Sequence, residues 1–181
     1  MIHEQWVISD HHLFHDNTWA MFRRSDGYPL RPFKSTDEMH QQIIHSHNSV
    51  VGEHDYVYFL GDLSFKYTGE LDEILYAMKG KKRFVPGNHD DLIKLAPFLQ
   101  RHFVKANGVW YAGRANTEFP FTLSHTPQRL EQIRWGKYNG HGHTHSNNMD
   151  DPHYINLCVE PLNYVPMHFD QIVEIIKQRE S

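Results

Sequence analysis

The chain has 181 residues, 39% of them hydrophobic and 22% charged, with a net charge of −4. A length of 181 residues suits a single domain spanning 1–181 with a sizeable core, and the charge gives no general attraction to duplex nucleic acid or to an anionic membrane. A single cysteine, Cys158, excludes a disulfide framework and any site built on several thiolates. No apolar run approaches the roughly 20 residues that span a bilayer. The first residues enter a strand-like run without the basic, apolar profile of a signal peptide, so the cytoplasm is the expected location. Sixteen histidines are the compositional oddity, and only their positions can give them meaning.

Residues 5–9 read as a short buried strand followed by Asp10-His11-His12. In an extended segment, side chains two apart share a side, so Asp10 and His12 can reach one ion; a plain polar loop is the alternative. His15 and Asn17 either line the same pocket or hydrogen-bond the loop. Residues 18–34 lack periodicity and set Trp19, Phe22, Tyr28 and Phe33 beside Arg23, Arg24, Arg31 and Lys34, with only Asp26 opposing. A basic, aromatic loop suits an anionic or base-containing substrate; otherwise it buries its rings and leaves its charges in solvent. Arg23 and Arg31 are the candidate substrate contacts here. Ser35 and Glu38 have capping-box spacing and open a helix with Met39, Ile43, Ile44, Val50 and Val51 at helical intervals. His40, His45 and His47 are expected on its solvent face.

Residues 55–60 form a second expected strand ending in Gly61-Asp62. Leu71, Ile74, Leu75 and Met78 then mark a helix with Gly80 as its cap. A third strand over 82–86 runs into Gly87-Asn88-His89-Asp90, where proline and glycine force a turn crowded with an amide, an imidazole and a carboxylate. Leu92 to Leu99 suggest another helix. Strands alternating with helices imply a parallel sheet with crossovers, and sites in such sheets gather at the C-terminal strand ends. The second half changes character. Residues 108–112 and 119–124 read as strands joined by a polar loop that holds Arg114, a further candidate substrate contact, and the later strand ends in Ser124-His125. A short helix is expected within 128–135. In Gly140-His141-Gly142-His143-Thr144-His145, an extended backbone puts the three imidazoles on one side, and the glycines allow close approach. Metal binding explains that stripe better than packing does. Tyr154 to Val159 form a last strand, and Phe169, Ile172, Val173 and Ile176 the apolar face of a C-terminal helix.

The strand ends therefore collect Asp10, His12, Asp62, Asn88, His125, His143 and His145. This exceeds what one tetrahedral zinc uses and suits two ions sharing a bridging carboxylate. The imidazole and carboxylate mixture favours manganese, iron, nickel, cobalt or zinc over magnesium or calcium. Two ions about 3.5–4 Å apart clamp an in-line displacement and lower the pKa of a bound water from about 15.7 to roughly 7, so that a bridging hydroxide becomes a nucleophile for phosphorus.

Asp10-His11-His12, Gly61-Asp62, Gly87-Asn88-His89-Asp90, Ser124-His125 and Gly142-His143-Thr144-His145 resemble, in order, the five motifs of the calcineurin-like metallophosphoesterases, and most nearly the small phosphoesterases of bacteria and phages. The resemblance implies an α/β fold of two facing mixed sheets flanked by helices, a four-layer sandwich. It implies two metal ions, with manganese favoured: Asp10, His12 and His145 on the first, Asn88, His125 and His143 on the second, and Asp62 bridging. His89 would be no ligand. It would contact the phosphate and protonate the leaving oxygen as general acid. In the protein-phosphatase branch a second aspartate follows Gly-Asp by three residues and supports that histidine. Phe65 stands there instead, which argues against a protein phosphatase and leaves Asp90 as the candidate support. The expected partner is a phosphate ester, a phosphodiester or small nucleotide ahead of a phosphomonoester, selected by short loops because the chain has no room for a large cap. An inactive scaffold of the same fold and a purely structural metal site are the competing readings, and the oligomeric state is left open.

Overall fold

The structure is a computed structural model that describes residues 3–112, 119–133 and 136–181. In chain order these form β1 (Gln5–Ile8), α1 (Asn17–Ala20), α2 (Thr36–Val50), β2 (Tyr56–Phe59), α3 (Gly69–Ala77), β3 (Lys81–Phe84), α4 (Leu92–His102), β4 (Phe103–Ala106), β5 (Trp110–Ala112), β6 (Phe121–Ser124), β7 (Tyr138–His141), β8 (Tyr154–Asn156), β9 (Met167–His168) and α5 (Phe169–Glu180). One sheet has the order β4-β3-β2-β1-β9 and the other β5-β6-β7-β8. Strands β1 to β4 are parallel and β9 is antiparallel to β1. Strands β6, β7 and β8 are parallel, with β5 antiparallel to β6. Both sheets are thus mixed, as expected.

Alternation along the central strands decides the layering. Val57 and Phe59 pack with Met39 and Ile43 of α2 and Leu71 and Leu75 of α3, whereas Tyr58 and Leu60 pack with Leu123, Leu157 and Ile172. The first sheet therefore has α2 and α3 on one face and the second sheet together with α5 on the other, which is the period-two logic of a strand buried on both sides. The outer face of the second sheet carries polar side chains. There Asn139 accepts from the Gln128 amide at 2.9 Å, and Tyr154 donates to the Gln128 carbonyl at 2.7 Å. The short helix expected in this cover is a 3₁₀ turn, Leu130–Gln132. No helix among the described residues is long and apolar enough to cross a membrane.

The start of α2 follows its sequence signal, whereas α3 ends at Ala77 with Met78, not the expected Gly80, as its C-cap. The Ser35 hydroxyl accepts from the Glu38 amide at 3.1 Å, and Val51 caps the far end of α2. Two strands were not legible. β4 buries only Phe103 and exposes the next three residues, so it carries no apolar run, and β9 is two residues long. The histidines of α2 also differ from expectation. His45 is exposed, but His40 and His47 are buried. His40 Nε2 accepts from the Phe14 amide at 3.0 Å, and His47 Nε2 bonds the Lys79 carbonyl at 2.8 Å. Each ring closes a loop against the helix, a use that periodicity does not reveal.

Burial lowers the His47 pKa to about 4, outweighing the Lys79 carbonyl, which favours the charged form. The unfolded chain takes up that proton near pH 6.5, so stability contributed by the neutral ring falls as pH drops from about 6.5 towards 4. His47→Gln, which keeps a donor for Lys79, should remove about 1–2 kcal/mol of the stability lost between pH 7 and pH 5. Urea unfolding midpoints at the two pH values measure it. An unchanged pH slope in the variant would assign the acid sensitivity to other groups.

Candidate metal centre

The C-terminal ends of β1, β2, β3, β6 and β7 meet at one edge of the sandwich. The Asp10 and His12 amides donate to the Gly61 and Asp62 carbonyls at 3.1 and 2.9 Å, so the turns after β1 and β2 travel together. The Ser9 amide donates to Leu157 and the Gly142 amide to His125, both at 2.8 Å, which ties the second sheet to the same point. A Cβ on Gly87 would stand 2.2 Å from Asp62 Oδ1, and one on Gly142 would stand 2.3 Å from Asp10 Oδ2. Glycine is required at both turns because the carboxylates occupy that space.

The side chains do not converge by strand alternation. Asp10 (φ 60°), His12 (φ 47°), Asp62 (φ 50°), His143 (φ 70°) and His145 (φ 49°) are all in the left-handed region. Extended geometry was expected for Asp10 and His12 and for the His141 to His145 stripe. Instead, each turn twists residue by residue to aim its donors inward. His141, the last residue of β7, is buried and contacts Tyr154 at 5.8 Å, apart from the other two. Left-handed non-glycine residues cost about 1–3 kcal/mol each and concentrate where function holds them.

Two groups result: Asp10, His12 and His145 in one, Asp62, His125 and His143 in the other, with the ligand atoms of each group within 4.8 Å of one another. Asp62 Oδ2 lies 3.5 Å from His12 Nε2 and 3.4 Å from His125 Nε2, so one oxygen faces both groups. His12 Nε2 and His145 Nε2 lie 3.6 and 3.9 Å from Asp10 Oδ1. Asn88 Oδ1 is 2.8 Å from both His125 Nε2 and His143 Nδ1. Separations of 3.4–3.9 Å are too long for hydrogen bonds. They are close to the roughly 3–3.5 Å edges of a shell whose ligands sit about 2.1 Å from one ion.

The hydrogen bonds on the far side of each ring sharpen the point. His125 Nδ1 faces the Leu60 carbonyl at 2.7 Å and must donate to it, so a neutral His125 turns a lone pair at Nε2 towards Asp62 and Asn88. His145 Nδ1 faces Glu160 Oε1 at 3.1 Å, which likewise turns an Nε2 lone pair inward. Asp10 Oδ1 and His12 Nε2 are buried without any hydrogen-bond partner among the described residues. A buried acceptor left unpaired is costly, and a cation between these lone pairs relieves that cost. The residues therefore fit two metal ions, one in each group.

Electrostatics agree. Burial opposes the charge on Asp10, but His12, His145, His125 and Ser9 outweigh it and hold its carboxyl far below the usual range. Burial likewise opposes Asp62, and His125 lowers it. Both carboxylates stay ionised. Burial lowers His12 and keeps it neutral. The negative field raises His125 through Asp62 and Asp10, and His145 through Glu160 and Asp10, against the effect of burial.

Several supporting residues were not foreseen. Glu160 Oε1 holds His145 and also accepts from Arg31 Nε at 2.9 Å. Arg31 donates further to the His11 and Asp10 carbonyls, both at 2.6 Å, and is 0% exposed. The structure thus does not leave Arg31 where a substrate can reach it; the guanidinium fixes the Asp10 turn from below. Asp90 does not support His89 either. Its two oxygens accept from the Gly87, Asp62 and Leu63 amides at 2.8–2.9 Å, clamping the second turn to the third. Ser9 Oγ and the His143 amide donate to Asp10 Oδ2 at 2.6 and 2.8 Å. Glu160 was discoverable, because it follows the strand expected over 154–159 just as the other acids follow theirs, although β8 itself ends at Asn156.

His89 is exposed at the mouth of the site. Its amide donates to Asp62 Oδ1 at 2.9 Å, and its ring lies 5.7 Å from His12 and 5.4 Å from Phe65. Arg23 is exposed, with its guanidinium turned back on the Phe22 carbonyl at 3.0 Å and the Ala20 carbonyl at 3.4 Å. Arg114 lies outside the described residues.

No family model matches the chain. The sequence is similar to the uncharacterized protein MJ1445 of Methanocaldococcus jannaschii, with 31% identity over 182 residues covering 96% of this chain and 91% of that one. Among solved structures, a protein of unknown function from Aquifex aeolicus aligns with a TM-score of 0.72 and 24% identity over 96% of this chain and all of its own, which shows a shared fold. A conserved uncharacterized protein of Streptococcus pneumoniae, described as a predicted phosphoesterase, aligns at a TM-score of 0.40 and 15% identity over 87% of this chain and 72% of its own, a likeness too slight to argue from.

Glu160→Gln keeps the volume but weakens the acceptor that orients His145. Removing such a partner typically lowers metal affinity about 10- to 100-fold. Titration of the chelator-stripped variant with manganese should show that loss at one site only, the one containing Asp10, His12 and His145. Equal weakening of both sites would contradict the pairing of Glu160 with His145.

Proposed function

The chain belongs to the family of the archaeal protein MJ1445, a name that assigns no chemistry, and from the site itself we propose a dinuclear metal-dependent phosphoesterase that hydrolyses a phosphodiester or small nucleotide. One observation carries the reading: two groups of candidate ligand atoms face a shared carboxylate, Asp62, and on one side of it Asp10 Oδ1 and His12 Nε2 are buried with no hydrogen-bond partner among the described residues. Asp10, His12 and His145 would hold one ion, Asn88, His125 and His143 the other, with Asp62 between. Two such ions, when bound, supply an acidified water as nucleophile and positive charge for the phosphoryl oxygens. Manganese, iron, nickel, cobalt and zinc match the donor set, with manganese our choice.

The chain's own residues do the rest. The Asp62 carboxylate takes the His89 amide and so fixes the turn that presents the imidazole. His89 then donates a proton to the departing oxygen, a task that imidazole performs near neutral pH. No carboxylate among the described residues bonds the His89 ring; Phe65 packs beside it instead, and the ring is oriented by contact rather than by a hydrogen bond. Asn88, His89 and His143 are exposed, so a substrate approaches from open solvent. An open site accommodates the second ester arm of a diester, which favours a diester over a monoester.

Chelator-stripped protein should hydrolyse neither bis-p-nitrophenyl phosphate nor p-nitrophenyl phosphate, and manganese should restore turnover with the diester preferred. His89→Ala should lower kcat by about 10²–10⁴-fold while both ions still bind. Preference for the monoester would make the protein a phosphomonoesterase. Absence of turnover with any divalent ion, in protein that binds two, would contradict the enzyme reading.

A further inference from the structure

The aromatic residues of the basic loop sort into two kinds. Trp19 donates Nε1–H to Thr36 Oγ1 at 3.0 Å and Phe33 packs on Tyr164 at 5.0 Å, so both serve the interior. Phe22 is 43% exposed, and so, at 41%, is Phe65 from the turn after β2. Single exposed apolar side chains need no explanation. These two are linked. The His15 ring stacks on Phe65 at 4.0 Å with 23° between planes and meets Phe22 edge-on at 5.5 Å. Phe65 then lies 5.4 Å from both His12 and His89. A continuous strip of rings thus runs from the solvent-facing loop to a candidate metal ligand and the candidate general acid.

Part of the strip faces solvent, at Phe22 and Phe65. His12 and His15 are 5.6 Å apart, too close to sandwich Phe65 from opposite faces, and with His89 also against it Phe65 remains 41% exposed. The strip offers apolar ring surface, and the Arg23 guanidinium is turned onto backbone carbonyls. We propose that Phe22, His15 and Phe65 form a stacking surface for the aromatic base of a nucleotide ester whose phosphate sits at the metal centre. The proposal rests on the phosphoesterase reading and deepens it by naming the substrate class. Stacking tolerates any base, since every base has a π face. Selectivity is therefore for a base over none, not for one base over another.

The test compares adenosine 5′-monophosphate, ribose 5-phosphate and inorganic phosphate by calorimetric titration of manganese-loaded protein. A stacked base should strengthen binding about 5- to 150-fold over ribose 5-phosphate. Phe65→Ala should remove most of that advantage and Phe65→Trp should keep it, the advantage being read in each variant as the ratio of adenosine 5′-monophosphate to ribose 5-phosphate affinity. Phe22→Ala, away from the His89 ring, should reduce the advantage without touching the turn after β2. A dinucleotide binding more tightly than the mononucleotide would identify a single strand as the source of the base, and the reverse a free nucleotide; either outcome supports the strip. Equal affinity for all three ligands, or a base advantage that survives both alanine variants, would overturn the strip and leave the phosphoesterase reading standing. Failure of all three to bind would overturn both.

Discussion

Asp10 and Asp62, 0% and 2% exposed, point oxygens at the ring nitrogens of His12, His125 and His145 across gaps of 3.4–3.9 Å. No hydrogen bond among the described residues fills those gaps. Burying two carboxylates costs several kcal/mol each in practice unless positive charge or donors compensate. The compensation visible in the chain is directed at the outer oxygens: Ser9 and the His143 amide on Asp10 Oδ2, the His89 amide on Asp62 Oδ1. The inner oxygens are left bare. The rest of the site follows from keeping them so.

Three charged side chains sustain this arrangement from behind. Arg31 spends its guanidinium on Glu160 and on the Asp10 and His11 carbonyls, and Glu160 in turn orients His145. The Asp90 carboxylate collects three amides and locks two neighbouring turns. Both devices brace left-handed backbone, Arg31 at Asp10 and Asp90 at Asp62. Strain of this kind persists only where surroundings over-determine it, and an arginine and an aspartate whose bonds run to backbone atoms of those turns supply the over-determination.

What the sequence made legible followed from local periodicity. The two-face burial of β2 and the apolar stripes of α2 and α3 were readable from residue type and spacing, and so was the rule that an acid or histidine follows each strand. What it hid depends on direction and distance in space. Arg31 reads as one more cation in a basic loop, and only the fold shows it enclosed 129 residues from Glu160. His40 and His47 read as surface residues because a polar ring bonding a distant loop leaves no periodic trace. Asp10 and His12 were brought together for the wrong reason: extended geometry was expected, and two left-handed residues do the work. The Phe65 substitution was visible, but its consequence, an aromatic neighbour for His89, needed the third dimension.

The central claim is that Asp62 joins two ions in one centre. Manganese added stepwise to the chelator-stripped protein, followed by electron paramagnetic resonance, tests it directly. The account predicts two equivalents bound per chain, with the isolated-ion signal giving way to a spin-coupled one as the second equivalent enters. A single equivalent, or two equivalents that remain magnetically independent, would contradict it.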